Sequence, residues 1–506
     1  MPQSKPFHAY LEHLAGLDPV VLNSAQPTIL GATSDSREVR PGWLFCAIPG
    51  SRQDGTEFVA AAVQAGAVAV VAPRPVPVPP HVALVQVRDA YAAAGRVAEV
   101  LHDFPSRSMR LFGITGTKGK TTCAFLLRAI LTRAGIRTGM IGTVVYDVGS
   151  RQIPADRTTP TPFEVQALLA EMRDTGLAAA VIETSSHSLH QHRMGAARFA
   201  GALFTNLSGE HLDYHKDMNS YFEAKKLLFT EHLAPDAPAV VNLDNEWGRR
   251  LARDLRDTGS ASQPVSHGVL ATFGVHRNAD FRTTYVRTSV TGSAFTLKSA
   301  SDRLRLPSPL MGRFNVSNIA GVATLALRLG IDPETIAAVV HEFHGAPGRL
   351  QRVDTDRKFA VFVDYAHTDD ALLNVLSTLR ALKPKRLVAV FGCGGNRDRT
   401  KRPRMGRVAA ELADVVIVTS DNPRDEDPRE IIREIEAGIP PGTASHVAVD
   451  RREAIRLAVR DARPGDLIVI AGKGHEDYQE IKGEKFPFDD TCEVRTALTE
   501  LGSPTG

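Results

Sequence analysis

Gly116-Thr-Lys-Gly-Lys-Thr-Thr122 has the residue types and spacing to hold phosphate. Gly116 and Gly119 permit a tight turn, and backbone N–H groups at the start of a following helix point at anionic oxygens. Thr117 and Lys118 lie inside that turn, Lys120 adds a mobile positive charge, and a hydroxyl of Thr121 or Thr122 can ligate Mg²⁺. Ile114 stands where the GxxxxGK[ST] pattern has its first glycine, so a purely structural turn is the plain alternative. Glu183 ends an apolar run at residues 178–182 and is followed by Thr-Ser-Ser-His187. A carboxylate at a strand's carboxyl end beside a phosphate turn is where a metal ligand for Mg–ATP is expected; the alternative is a solvated strand end. His211-Leu-Asp-Tyr-His215 has a helical spacing of histidines, but it lacks the Glu of HExxH and no cysteine is near, so zinc is not the reading.

Three further polar motifs follow apolar runs near the C-terminus. Gly392-Cys-Gly-Gly395 is a partial dinucleotide fingerprint, with Arg397 in place of the third glycine, and the basic run Arg397–Arg402 suits an anion or a solvated loop. Asp421-Asn-Pro-Arg424 offers a fixed turn at Pro423 and a guanidinium able to grip a carboxylate through two hydrogen bonds. Gly472-Lys-Gly-His-Glu476 is the third. Motifs at one end of one parallel sheet make a ligand crevice.

The elements needed to position these groups are legible in outline. Residues 111–114 read as a buried strand and 123–134 as an amphipathic helix. Apolar runs at 359–363, 386–391, 414–418 and 466–470 alternate with helical segments and predict a doubly wound parallel sheet. Near the N-terminus we expect short α/β units, with strands at 43–48 and 68–71 and a helix at 58–65. At 506 residues the chain is too long for one core. We expect α/β architecture in three domains: a smaller N-terminal α/β domain (1–107), a central P-loop-type ATPase domain with a mostly parallel sheet (108–346), and a C-terminal doubly wound Rossmann-like domain (347–506). A Gly/Pro hinge is expected at 344–348.

Composition narrows the function. Sixty Lys+Arg against 57 Asp+Glu, with no block of like charge, argues against a nucleic-acid partner and for small anionic ligands. Cys46, Cys123, Cys393 and Cys492 form no CxxC pair, which points to a reducing compartment without disulfides. The N-terminus shows no signal-peptide core and no run is long enough to span a bilayer, so we expect a cytoplasmic, soluble protein.

Taken together, residues 116–122, Thr158-Thr-Pro160, Glu183-Thr-Ser-Ser-His187, Asn206-Leu-Ser-Gly-Glu-His-Leu-Asp213, Asp364-Tyr-Ala-His367, Asp421–Arg424 and Gly472–Glu476 resemble the Mur ligases, and within them the MurE type, over essentially the whole chain. The resemblance implies an N-terminal UDP-binding domain, a central ATPase domain and a C-terminal amino-acid-binding domain. It implies small-molecule substrates, namely ATP, UDP-MurNAc-L-Ala-D-Glu and a diamino acid; we expect a monomer. Ser34, Ser36, Ser51, Arg52 and Gln53 would hold the uridine nucleotide. Arg157, where relatives carry Asn, with Thr158, Thr159, Ser185, Gln191 and Arg193, would hold the rest of that substrate. Asn315 and Asn318 match the adenine-side motif, and Arg349 and Asp364 the contacts of the C-terminal domain with ATP.

Lys225 aligns with the lysine that the family carbamylates with CO₂, although by sequence alone it reads as an exposed helical lysine. The carbamate could ligate a second Mg²⁺ near His211, while Thr121, Thr122 and Glu183 serve the first. Asp369 stands where relatives have Pro, a change expected to affect only a loop.

The chemistry implied is amide synthesis. The D-Glu γ-carboxylate attacks the γ-phosphate of ATP, Lys120 and Mg²⁺ offset the charge, and an amine displaces phosphate from the acyl phosphate. The family associates Asp421-Asn422-Pro423-Arg424 with meso-diaminopimelate: Arg424 would pair with its distal carboxylate, Arg397 with the other, and Asp421 and Glu476 with its ammonium group, beside Gly472. Lysine or ornithine would leave Arg424 unpaired and is the alternative amine. A folylpolyglutamate-synthetase-like ligase leaves Asp421–Arg424 unexplained, a P-loop kinase or ATPase leaves the third domain idle, and a non-catalytic nucleotide-binding protein leaves the metal residues idle.

Overall fold

The computed structural model describes residues 4–50, 53–257, 269–301 and 303–502. By its internal contacts the chain divides into two units, residues 1–284 with 296–305 and 317–339, and residues 285–295 with 306–316 and 340–506.

The first unit opens with a five-stranded sheet in the order Val20–Asn23, Ala83–Gln86, Ala67–Ala72, Trp43–Cys46, Gly31–Thr33. The last four pair in parallel and Val20–Asn23 antiparallel. Alternate residues of these strands enter two cores. Leu44, Cys46, Ala69 and Val71 join one, and Phe45, Ala47, Val70 and Ala72 the other, so both faces are covered.

The larger sheet has eleven strands. Its parallel centre runs Thr138–Ile141, Ala179–Glu183, Arg110–Thr115, Phe199–Phe204, Pro238–Asn242, Val269–Gly274. Every residue of Ala179–Glu183 is buried, as a strand between two layers of helix requires. Helix Lys120–Arg133 follows Arg110–Thr115 directly, so the phosphate motif is the turn between them. Helix Pro162–Asp174 is fixed at its start by a capping box between Thr161 and Glu164, with Pro162 at the first helical position.

The second unit has a six-stranded sheet, Gln351–Val353, Ala360–Asp364, Leu467–Ala471, Leu387–Phe391, Val415–Val418, Ser445–Val447, parallel except for the first strand. The Phe362, Phe391 and Val469 side packs on helices Asp369–Ala381, Lys401–Leu412 and Pro428–Glu436. The Val361, Val390 and Ile470 side packs on Arg451–Arg460 and Asp490–Glu500. This is the doubly wound sheet that the apolar runs predict. Asp369 is not loop but the first residue of a helix capped by Thr368. That position tolerates Pro and favours an acid, and here Asp369 also pairs with Arg404 at 2.8 Å. Among the described residues no helix is long and apolar enough to cross a membrane.

Candidate active site

In the first unit the phosphate turn is closed by the segment after Phe199–Phe204. Thr117 N donates to Asn206 O at 2.9 Å, Lys118 N to Asn206 Oδ1 at 3.0 Å, and Thr205 Oγ1 to Lys118 O at 2.7 Å. A side chain at Gly116, where φ is +148°, would meet Thr205 Oγ1 at 2.0 Å, so only glycine fits this approach. Thr117 Oγ1 lies 3.2 Å from Tyr221 Oη and 3.2 Å from Ser208 O. Asn318 abuts the turn at Gly119.

The strand end supplies the acid. Glu183 is fully buried and accepts from Thr121 Oγ1 at 2.9 Å, Thr143 N at 2.9 Å and Thr143 Oγ1 at 3.0 Å. Gly142 makes room for it, since a Cβ there would lie 2.4 Å from Glu183 Oε1. A buried carboxylate beside a threonine hydroxyl at a phosphate turn is a hard-oxygen donor set that fits Mg²⁺. It is Thr121 that meets Glu183. Thr143 has no motif of its own and the sequence reading missed it.

Lys225 corrects the sequence reading. On helix Met218–Thr230 it is 1 % exposed, and its Nζ donates to Gly116 O at 3.0 Å and lies 4.6 Å from the Tyr221 ring centroid. Lys120 Nζ donates to the same Gly116 O at 2.9 Å and to Thr117 O at 2.9 Å. Burial, with Lys120 adding, holds the Lys225 amine well below the ordinary lysine range. A helix-period pattern cannot reveal this, because burial is decided by the turn the helix packs on.

Burial acts on the imidazoles nearby in the same direction. His187 and His215 are each drawn down to about 4, first by burial and then by neighbouring cationic groups. His211 shifts in the same direction, with burial first and Lys120 and Lys225 among the causes. His211 precedes the short helix Leu212–His215, and its ring stands edge-on to His187 with centroids 5.0 Å apart.

Thr159 Oγ1 donates to Glu183 O at 2.7 Å, Ser185 N donates to Thr159 Oγ1 at 3.2 Å, and Thr158 Oγ1 is 3.1 Å from Thr143 Oγ1. Arg193 donates to Thr159 O at 2.6 Å and to Gln191 Oε1 at 2.8 Å. Thr158, Thr159, Ser185, Gln191 and Arg193 therefore form one network running from the Glu183 strand end. Arg157 is exposed, and its backbone N and O both bond to Tyr146 Oη. Ser34 and Ser36 are half-buried after Gly31–Thr33, and Gln53 accepts from Gly50 N at 2.9 Å through its main chain. Ser51 and Arg52 lie outside the described residues. Tyr91, missed in the sequence, donates its hydroxyl to Pro49 O just before that loop.

The second unit carries its own crevice at the carboxyl ends of its parallel strands. Asp364 is buried, accepts from Leu350 N at 2.6 Å and Ala366 N at 2.8 Å, and has its pKa raised by burial although Arg349 opposes this. The Arg349 guanidinium lies 5.1 Å from the Tyr365 ring centroid. Asn315 donates to Met311 O at 2.9 Å. Lys473, which the sequence reading passed over, is fully buried, and its ammonium donates to Asn422 Oδ1 and Glu476 Oε2, both at 3.0 Å. Asn422 Nδ2 donates to Glu476 Oε2 at 2.8 Å. Asp421 Oδ1 accepts from Asn422 N at 2.7 Å, and Gly472 faces its other oxygen. Pro423 and Arg424 complete the turn, with Arg424 in the left-handed region at φ +52°.

Arg424 is already engaged. Its Nε donates to Glu480 Oε2 at 2.9 Å and its Nη1 to Gly395 O at 2.9 Å. The expectation that a diamine without a distal carboxylate strands Arg424 unpaired is thereby corrected, since Glu480 partners it without any ligand. Arg397 is exposed on the Gly394 side of Arg424. Underneath, Arg451 and Asp490 form a fully buried pair through two bonds of 2.7 and 2.8 Å, and Arg451 also donates to Ala471 O at 2.9 Å. Removing one partner of such a pair costs about 3–5 kcal/mol, so it fixes the crevice floor.

Sequence-family models match three stretches: the Mur ligase family, catalytic domain, at residues 28–108; the Mur ligase middle domain at 114–326; and the Mur ligase, glutamate ligase domain, at 348–474. The chain is 44% identical over 477 residues to a UDP-N-acetylmuramoyl-L-alanyl-D-glutamate--2,6-diaminopimelate ligase of Gloeobacter violaceus, covering 94% of this chain and 95% of the relative. It is 43% identical over 496 residues to the protein of the same name from Geobacter metallireducens, with 94% and 95% covered. A solved structure of a UDP-N-acetylmuramoyl-L-alanyl-D-glutamate--2,6-diaminopimelate ligase superposes with TM-score 0.69 at 33% identity, covering 99% of this chain and all of the other.

Proposed function

The chain belongs to the Mur ligase family, and from that premise we propose that it is the ATP-dependent ligase that joins meso-diaminopimelate to the D-Glu γ-carboxylate of UDP-MurNAc-L-Ala-D-Glu, a step of peptidoglycan precursor synthesis. The observation that carries the catalytic part of this reading is that Lys120 and Lys225 share the Gly116 carbonyl at the turn whose Thr121 meets the buried Glu183. Burial, with the neighbouring Lys120 charge adding, lowers the Lys225 pKa and so favours its neutral amine.

A neutral buried amine is competent to add to CO₂. Its Nζ bonds to the carbon as one C=O pair moves to oxygen, one proton leaves, and the resulting carbamate is an anion in place of a neutral amine. Glu183 and Thr121 would hold one Mg²⁺, and the Lys225 carbamate with His211 a second. These ions would supply charge neutralisation for two anions that must meet. Lys120 and the turn's N–H groups hold the ATP phosphates, Thr158, Thr159, Ser185, Gln191 and Arg193 orient the UDP-linked dipeptide, and Ser34, Ser36 and the 51–53 loop hold its uridine end. The γ-carboxylate takes the γ-phosphoryl group with release of ADP. The amine of the diamino acid then attacks the acyl carbon, phosphate leaves and a proton is lost.

In the second unit, Arg424 and Arg397 grip the two carboxylates, and Asp421 and Glu476 receive the ammonium group. Soluble nucleotide substrates suit a cytoplasmic enzyme. The test is phosphate release from ATP with UDP-MurNAc-L-Ala-D-Glu and, in turn, meso-diaminopimelate, L-lysine and L-ornithine. Turnover with diaminopimelate alone is expected. Preference for lysine or ornithine would overturn the amine assignment, and phosphate release that needs neither the UDP-dipeptide nor an amine would overturn the ligase.

A further inference from the structure

Apart from the phosphate turn, His192, Glu231 and His232 each offer one ligand atom, and the three atoms lie within 4.8 Å of one another. They come from two directions. His192 follows helix Ser186–His190 and holds a left-handed backbone at φ +46°. Glu231 and His232 directly follow Met218–Thr230, the helix that carries Lys225.

His232 is 3 % exposed, and its Nδ1 lies 3.2 Å from Ala197 O, a contact that places the proton on Nδ1. The lone pair is then on Nε2, which is buried and has no hydrogen-bond partner among the described residues. Leaving such a nitrogen unsatisfied is unfavourable. His192 Nε2 is 3.6 Å from Asp89 Oδ2, and its Nδ1 is 4.0 Å from Glu231 Oε2. A carboxylate behind one ring nitrogen with a ligand position at the other is how metal-binding histidines are oriented.

We infer that His192, Glu231 and His232 bind one divalent transition-metal ion of the zinc class, with Asp89 orienting His192. Two imidazoles and one carboxylate suit Zn²⁺, whereas Mg²⁺ and Ca²⁺ take oxygen ligands. Zinc bonds of about 2.0–2.2 Å need the three atoms to draw closer, and the Glu231 side chain, 50% exposed, has room to turn. Three protein ligands leave a fourth position for water. A neighbouring positive charge is Arg198, whose guanidinium donates to Glu231 O. A bound ion ties the turn bearing Gln191 and Arg193 to the end of the Lys225 helix.

The experiment is titration of the 506-residue protein with Zn²⁺ against a chromophoric chelator, in saturating Mg²⁺ so that oxygen-rich sites are filled, with Co²⁺ substitution to read the ligand set. One zinc per chain is expected, with visible Co²⁺ bands of nitrogen and oxygen ligation. His192→Asn, chosen because Asn tolerates the left-handed region, and Glu231→Gln, at an exposed position, should each weaken that site by more than about tenfold. The inference is overturned by no zinc uptake at free concentrations up to about 0.1 mM. It is equally overturned by unchanged affinity in folded Glu231→Gln, or by a thiolate-ligated Co²⁺ spectrum pointing to a cysteine.

Discussion

Replacing Arg424 tests the proposal that the second unit selects the amine. A guanidinium has five N–H donors. Here Nε is spent on Glu480 and one Nη1 proton on Gly395 O, which leaves Nη2 and the other Nη1 proton for a ligand carboxylate. Hydrogen bonds to a charged group contribute about 1.5–3 kcal/mol, and 1.4 kcal/mol is about a factor of ten. Arg424→Ala is therefore expected to lower kcat/KM for meso-diaminopimelate by about 10–150-fold, while L-lysine, lacking the distal carboxylate, changes little. Arg424→Lys keeps the charge without the fork and should fall between.

Two structural effects accompany the loss. The left-handed backbone suits Ala no better than Arg, so strain is comparable. Glu480 loses its partner, but with its side chain 24% exposed it can be solvated. ATP affinity and melting temperature, measured on the same preparations, separate these effects from recognition. The reasoning fails if diaminopimelate turnover stays within about twofold of the parent in both variants, or if lysine turnover falls in parallel.

Lys225→Met removes the amine while filling its space. Phosphate release should drop by at least about 100-fold with the fold kept or slightly stabilised, because an apolar chain replaces a desolvated amine; retained turnover would remove Lys225 from the mechanism. Glu99 offers a pH test. It is buried, accepts from Ala196 N at 3.0 Å, and burial raises its pKa from 4.5 to about 7. A raised carboxyl contributes its full stability below the unfolded pKa near 4.5 and loses it as pH rises through about 7. Glu99→Gln keeps the acceptor and removes the titration. Its unfolding free energy should match the parent near pH 4.5 and exceed it above pH 7 by an amount on the order of 3 kcal/mol, whereas parallel pH profiles would contradict the assignment.

What could be read from the sequence, and what could not, follows from the range of the interactions. Five-residue apolar runs such as Leu387–Phe391 and Leu467–Ala471 announce buried parallel strands locally, and a parallel sheet puts the polar residues after such strands at one end. That is why Glu183, Asp421–Arg424 and Gly472–Glu476 could be singled out one strand end at a time. Partners are another matter. Thr121 finds Glu183 across 62 positions, Lys473 finds Asn422 across 51, Arg424 finds Glu480 across 56 and Lys225 finds Gly116 across 109.

No local pattern encodes those pairings, and each changes the chemistry of the group involved. Glu480 turns Arg424 from a free cation into a pre-oriented one, with only part of its fork open to a ligand. Packing of its helix on the phosphate turn buries Lys225, and that burial, with Lys120 adding, lowers the pKa of its amine. The residue types fix what each site can bind, and the long-range partners fix the protonation state and orientation in which it binds. The selectivity proposed for the second unit and the reactivity proposed for Lys225 therefore belong to packing, and they are expected to respond to changes at Glu480 or in the phosphate turn that leave every sequence motif intact.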